Sequence, residues 1–241
     1  MCSPSFPRGT VLACLLAAAS NASASGLQIA PTSLQLTSGG PAQGLWLTNT
    51  GDRELHAQVR AYRWSQAGGQ DQLEATQALV ASPPMLGIPP GGRQLVRVIR
   101  TGKAGADGEE TYRLLIDELP VSASQDAGVQ YVLRYSVPVF IGGTGAAPSL
   151  QWSATPGPDT IRLEVRNSGG LHAQISSLTL SQPDGTRIDL VPGLLGYVLP
   201  GSTMHWTVAL PDGANTANAS LKALVNGEPT VQTLTPGAQP R

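Results

Sequence analysis

The sequence predicts an all-β protein built as two β-sandwiches. Three observations carry that expectation. Almost no segment has the 3.6-residue periodicity of an amphipathic helix, while short alternating or β-branched runs bounded by Gly, Pro, Asn and Asp recur along the 241 residues. A motif appears twice: "LTNTGDRELHAQVRAY" from Leu47 and "VRNSGGLHAQISSL" from Val165 share Asn, Thr or Ser, Gly, and then Leu-His-Ala-Gln, each reading as strand, tight turn, strand. Between the copies, residues 142–148 are a small-residue stretch with the composition of a linker. Seven or so short strands on either side suit sandwiches of roughly 100 residues each.

The elements follow in order. The first 24 residues read as a secretory signal: Arg8 precedes an apolar run over 11–19, and Ala22-Ser23-Ala24 supplies the small-residue cleavage pattern, so the mature chain is expected from Ser25. Cys14 follows Val11-Leu12-Ala13 as in a lipoprotein box, but too little apolar sequence lies upstream of it. Residues 25–31, with Ser, Gly and Gln ahead of Pro31, are expected to be loosely paired in the free protein. The first sandwich then takes strands at 34–36, 44–48, 57–64, 94–100, 111–119 and 129–141, and the second at 160–166, 173–180, 187–190, 204–210 and 230–235.

Within "SPPMLGIPPGGRQLVRVIR", 82–100, the proline pairs fix φ and remove amide donors. Residues 82–90 are therefore expected to form an extended loop ending in a sharp Pro-Pro-Gly-Gly turn. The next strand sets Arg97 between Val96 and Val98. A buried strand arginine needs a partner and an exposed one needs none, so these residues alone leave both readings open.

Charge and cysteine usage exclude several functions. Of 15 Lys+Arg only Arg8 lies in the first 24 residues, leaving 14 against 16 Asp+Glu and a net charge of −2. Without a long basic run, nucleic acid and anionic membrane surfaces are poor partners. No apolar stretch after the signal approaches a membrane span, so no membrane insertion is expected. Both cysteines, Cys2 and Cys14, lie in the signal, so the mature chain must hold together without disulfides.

Catalytic chemistry is missing as well. His56, His172 and His205 have no second ligand-type residue at zinc spacing, and there is no nucleophile elbow, phosphate-cradling loop or dinucleotide fingerprint. Asp117 and Glu118 are adjacent on a strand and point to opposite faces, so they cannot act as an acid and base pair. No enzyme activity, no metal and no cofactor are expected.

The segment "VQYVLRYSVPVF", 129–140, is unusual for a core strand. Its odd positions Val129, Tyr131, Leu133, Tyr135, Val137 and Val139 form one apolar face. Pro138 lacks an amide hydrogen and belongs on an edge strand or a strand end, which implies an open side. A long apolar edge is a liability unless pairing with another chain is its purpose.

These stretches together resemble the periplasmic pilus chaperones of the chaperone-usher pathway, a PapD-like superfamily, and within it the archaic, Csu-like branch. "SPPMLGIPPGGRQLVRVIR" is similar to the family's Pro-Pro loop and following strand, "EETYRLLIDELP" to its sixth strand, "VQYVLRYSVPVFIG" to its seventh, and "YVLPGS" to a segment of its second domain. The resemblance implies two immunoglobulin-like domains in a boomerang arrangement, residues 25–143 and 144–241, whose cleft receives pilin subunits. It implies that the seventh strand is lent to an incomplete subunit through Val129, Tyr131, Leu133 and Tyr135. It further implies that Arg97 pairs with Glu109 to tie the first domain toward the second. Better-studied members anchor the subunit's terminal carboxylate through two basic residues, at positions that here hold Ser33 and Pro138. Arg113 and Arg134 are the nearest cationic candidates, because a guanidinium fork suits a carboxylate. The function so implied is that of a periplasmic chaperone in fimbrium biogenesis, delivering pilins to an outer-membrane usher. The alternative is a secreted structural or adhesive protein of tandem immunoglobulin-like domains, in which the same strand is merely core.

Overall fold

Alternation of apolar and polar residues dictates most strands of this chain. The computed structural model describes residues 26–37, 40, 42–101, 108–120, 132–143 and 145–234. Among the described residues there is no helix, and so none long and apolar enough to cross a membrane. The strands are β1 (Leu27–Ala30), β2 (Leu34–Leu36), β3 (Ala42–Asn49), β4 (Leu55–Ala67), β5 (Gln70–Ala75), β6 (Leu79–Ser82), β7 (Met85–Ile88), β8 (Arg93–Arg100), β9 (Glu109–Leu119) and β10 (Arg134–Gly142). After these come β11 (Leu150–Pro156), β12 (Thr160–Asn167), β13 (Ala173–Ser181), β14 (Arg187–Val198), β15 (Thr203–Ala209), β16 (Ser220–Val225) and β17 (Glu228–Thr233).

They form two sandwiches. In the first, a sheet ordered β1-β3-β8-β6 faces one ordered β2-β10-β9-β4-β5, with β7 also paired to β4. Leu45, Leu47, Val96 and Val98 from one sheet meet Leu114, Ile116, Val137 and Val139 from the other, every one of them buried. In the second, β11-β12-β15 faces β14-β13-β16-β17 around Ile161, Leu163, Val165, Ile175, Leu180 and Leu221. The two-sandwich, all-β architecture expected from the sequence is the one observed.

The repeated motif builds the same corner twice. Asn49 is 1% exposed; its amide donates to the carbonyls of Arg53 and Ile88 and its Oδ1 accepts from Gly51 N. Asn167, fully buried, donates to the carbonyls of Leu171 and Val198 and accepts from the amides of Ser149 and Gly169. Each asparagine satisfies backbone groups that the turn takes out of the ladder, which a hydrocarbon side chain could not do. Each corner also packs beside a proline-glycine turn: Gly92 N donates to Pro89 O, and Ser202 N to Leu199 O. The third residue of each turn, Gly91 at φ 68° and Gly201 at φ 71°, occupies the left-handed region.

Three expectations need correction. Leu27–Ala30 is a strand hydrogen-bonded to β3 with Leu27 in the core, rather than loosely paired, because its alternation matches the sheet it joins. The loop expected over 82–90 is extended, but Met85–Ile88 pairs with β4 and buries Leu86 and Ile88, since Gly87 between two apolar residues still gives a period of two. The strand read over 129–141 begins, among the described residues, at Arg134, after Val132 and Leu133, and Val129 and Tyr131 lie outside the described residues.

Candidate functional site

The apolar face read along 129–139 divides when folded. Val137 and Val139 belong to the first core, Tyr135 is half-buried against it, and Leu133 and Val132 are exposed, at 36% and 51%. Tyr135 donates its hydroxyl to Leu27 O at 2.6 Å, which ties the strand to the N-terminal edge of the opposite sheet. The backbone of Leu133 extends the ladder with β9, its carbonyl accepting from Glu118 N. On the other side β2 pairs only with Val139–Ile141, in parallel. Between Arg134 and Pro138 the strand therefore has β9 as its single partner among the described residues. Pro138 sits just where the second partner ends, the position at which a missing amide hydrogen costs nothing.

The outer face of the same sheet turns toward the second sandwich. Trp64 of β4 and Phe140 of β10 join Tyr197 and Leu199 of the second sandwich in a small buried cluster. Trp64 meets Tyr197 edge-on at 5.5 Å between ring centroids, and Phe140 stacks on His172 at 3.4 Å, nearly parallel. Offset and edge-to-face ring contacts of this kind contribute roughly 0.5–1.5 kcal/mol each beyond the area they bury. The Gln66 side chain donates to Tyr197 O and accepts from Leu199 N, so β4 is hydrogen-bonded to the end of β14 and the turn after it.

Glu109 makes the charged link. Its side chain is fully buried; one carboxylate oxygen accepts from His172 N at 2.8 Å and the other lies 2.8 Å from His172 Nδ1. Arg97 does not take part, which corrects the expected Arg97–Glu109 pair. Val96 and Val98 point into the core, so Arg97 points out of it, opposite Gly44 and Ser82 on the outer face of the other sheet. The whole first core separates it from Glu109. The buried arginine of β8 is Arg100, whose guanidinium pairs with Glu110 and so joins the two sheets of one sandwich. Tyr112 donates to the same carboxylate, and burial, followed by that bond, pushes its phenol up to about 12.

The two candidate anchors part company. Arg113 is 13% exposed, with its guanidinium carbon 3.7 Å above the Trp64 ring and 5.3 Å from Tyr197. Burial draws its pKa below the ordinary arginine value against the opposing charge of Asp71, 3.6 Å away. Arg134 is 64% exposed and bound, together with Arg60, to Asp117. Burial alone would raise the Asp117 carboxyl, but hydrogen bonds from Arg134 and Arg60 outweigh it and hold it below the ordinary carboxylate range. Arg113 stands opposite Pro138 in the ladder and Arg134 opposite Asp117, so the two guanidinium groups belong to different parts of the sheet. Beside Glu109 and His172 opens a cleft of about 330 Å³, lined also by Ser33, Gln35, Phe140 and Asn226.

Sequence reasoning passed over Trp64, Gln66, Phe140, His172 and Tyr197. One signal was present, since Trp64 and Phe140 are large rings on the polar faces of their strands, where a solvent-facing sheet would not place them.

Residues 26–145 match the pili and flagellar-assembly chaperone family, PapD N-terminal domain. Comparison with curated protein sequences gives no match. Among solved structures, the CsuC–CsuE chaperone-tip adhesion subunit pre-assembly complex from archaic chaperone-usher Csu pili of Acinetobacter baumannii superposes with a TM-score of 0.65 at 23% identity, covering 88% of this chain and 99% of that one. The Salmonella enterica SafA pilin in complex with the SafB chaperone gives 0.59 at 14% identity, covering 88% and 97%. The CupB2 chaperone of Pseudomonas aeruginosa gives 0.55 at 19%, covering 87% and 100%. At these identities the likeness is one of fold, and it extends through both sandwiches.

Proposed function

Since this chain belongs, through residues 26–145, to the pili and flagellar-assembly chaperones, we propose that it binds pilin subunits by lending them the open edge of β10. The observation that carries this is the run from Leu133 to Pro138: apolar on alternate positions, paired with β9 on one side, and, among the described residues, without a second strand until Val139. An incomplete β-sandwich that inserts beside this edge gains a backbone ladder and buries Leu133 and Tyr135 in its own groove. A side chain of that kind contributes roughly 1.5–3 kcal/mol when fully buried. In the sequence Val129 and Tyr131 continue the same alternation, and the reading assigns them to the same groove. The SafA–SafB and CsuC–CsuE complexes, each a chaperone with a subunit, support the reading.

Arg113 is the anchor we assign to the subunit's terminal carboxylate. It faces the side of the sheet turned to the second sandwich, and its only acidic neighbour among the described residues is loosely placed at 3.6 Å. Arg134, already held by Asp117, is the lesser candidate. Residues 1–24 serve as an export signal, the domains divide at 143/144, and the loaded protein passes its subunit to an outer-membrane usher from the periplasm. Its work is non-enzymatic and needs no cofactor.

The test is Leu133→Asp, with Val137→Asp as control. In the free protein Leu133→Asp is expected to melt near the wild-type temperature by circular dichroism, because the side chain is exposed and lies outside the first core. Co-purification with co-expressed small β-rich secreted proteins should be lost, since the groove would have to bury a carboxylate. Val137→Asp should unfold the first sandwich. Unfolding by Leu133→Asp as well would remove the donor-strand assignment.

A further inference from the structure

The outer face of the β1-β3-β8-β6 sheet faces solvent and is polar at Gln28, Thr48, Ser82, Arg93 and Arg97, yet two of its cross-strand rows are wholly apolar. Cross-strand pairing sets Ala30, Trp46 and Leu95 in one row and Ala42, Ile99 and Val80 in another, with Gly44, Arg97 and Ser82 between them. Trp46 is 38% exposed and Val80 41%. Arg93 lays its guanidinium over the Trp46 ring, 4.5 Å from the centroid. Across all four strands the charged residues are Arg93, Arg97 and Arg100, with no Asp or Glu. Arg100 is taken by Glu110, which leaves the two guanidinium groups of the outer face, Arg93 and Arg97, as its charges. The whole chain carries a net charge of −1, so this face has a sign of its own.

We propose that this face docks an acidic, apolar peptide segment of a partner protein. Trp46 supplies a rigid aromatic anchor of the type enriched at interface centres, with Leu95, Ile99 and Val80 as the apolar floor. Arg93 and Arg97 bracket the Trp46–Leu95 row, one row to either side, and present planar forks that bind carboxylates bidentately. A basic partner is disfavoured by both. The surface lies on the opposite sheet from β10 and is independent of subunit capture.

The probe is a synthetic peptide alternating Asp with Leu and Phe, titrated into the intact protein by calorimetry and by amide NMR, with a Lys-for-Asp peptide as control. The expected result is binding of the Asp peptide alone, with shifts confined to 42–48, 80–82 and 93–99. Affinity should weaken about tenfold in Arg97→Glu, the loss of one charge-assisted contact, and further in Arg93→Glu/Arg97→Glu. Arg97 is exposed and should tolerate the change without loss of fold, to be verified by melting. Leu133→Asp should bind the peptide as wild type does. The proposal is overturned if the Lys peptide binds equally, if the double charge reversal leaves affinity unchanged, or if the shifts map to the β10 edge. It is overturned too if the protein dimerises and Trp46→Ala abolishes the dimer, which would make a second copy the occupant.

Discussion

His56 lies inside β4, flanked in a single sheet by Gly87 on one side and Leu119 on the other. His172, at the same place in the second copy of Leu-His-Ala-Gln, falls just before β13, and its ring leaves its own sandwich to stack on Phe140 and meet Glu109. The asparagines at the two corners, by contrast, do the same work with nearly the same partners. The difference separates two kinds of information in one short motif. What the backbone needs in order to turn is local and is copied. What a side chain on the flank of the turn touches depends on which surface lies across from it.

The comparison can be broken most directly at the histidines. His172→Ala removes the ring from a fully buried carboxylate and leaves Glu109 a single backbone donor; a loss of about 3 kcal/mol in denaturant unfolding is expected. His56→Ala should cost within about 0.5 kcal/mol, as for a side chain away from any such feature. Equal losses would mean that the two copies are not differently employed. Glu109→Gln combined with His172→Ala should recover part of the deficit, because the stranded charge is then gone.

At the asparagines the two corners should respond alike. Asn49→Ala and Asn167→Ala each leave buried carbonyls and amides without partners, at about 2 kcal/mol. The second should be the larger, since Asn167 satisfies four backbone groups and Asn49 three. Tryptophan fluorescence would follow each unfolding transition. Smaller and equal effects are expected at the turns, where Gly91→Ala and Gly201→Ala meet open space and lose about 1 kcal/mol each through backbone conformation alone. An unequal pair would show that one turn is propped by its neighbours.

The smallest effect is a pH dependence of the first sandwich. The Asp117 carboxyl titrates lower in the folded protein than in the unfolded chain, so its contribution is present above the unfolded value near 3.9 and is lost as pH falls through the folded one. Acid should weaken the first sandwich through this group, and Arg60→Ala with Arg134→Ala should flatten that dependence. Stability rising on acidification over this range would overturn the assignment.

Much of the fold was legible because strand alternation is a local signal. Leu34–Leu36 was placed to the residue, and β8, β9 and β12 to within a residue or two. Two strands absent from that reading, β5 and β7, have weak patterns of their own. β5, "QDQLEA", is exposed at every position and is a strand because β4 overruns the core and offers it an edge. β7 hides between two proline pairs. The candidate site was legible only in part. The family resemblance points to Glu109 as a tie between the halves, yet the partner it implies is Arg97, three positions before the arginine of β8 that is buried. Nothing in a valine-flanked arginine says which way the strand faces until the register with β3 and β6 is known.

The sequence by itself determined the all-β class, the two asparagine corners, the proline-glycine turns and the kinship with pilus chaperones, because each rests on contacts between residues close in the chain or on short motifs. The tertiary structure decided which side of each strand is inside, that β2 covers β10 only from Val139 onward, and that Trp64, Phe140, His172 and Tyr197 meet. These are contacts between sheets and between sandwiches. Their energies come from surfaces brought together by the whole chain, and no window of sequence contains both partners.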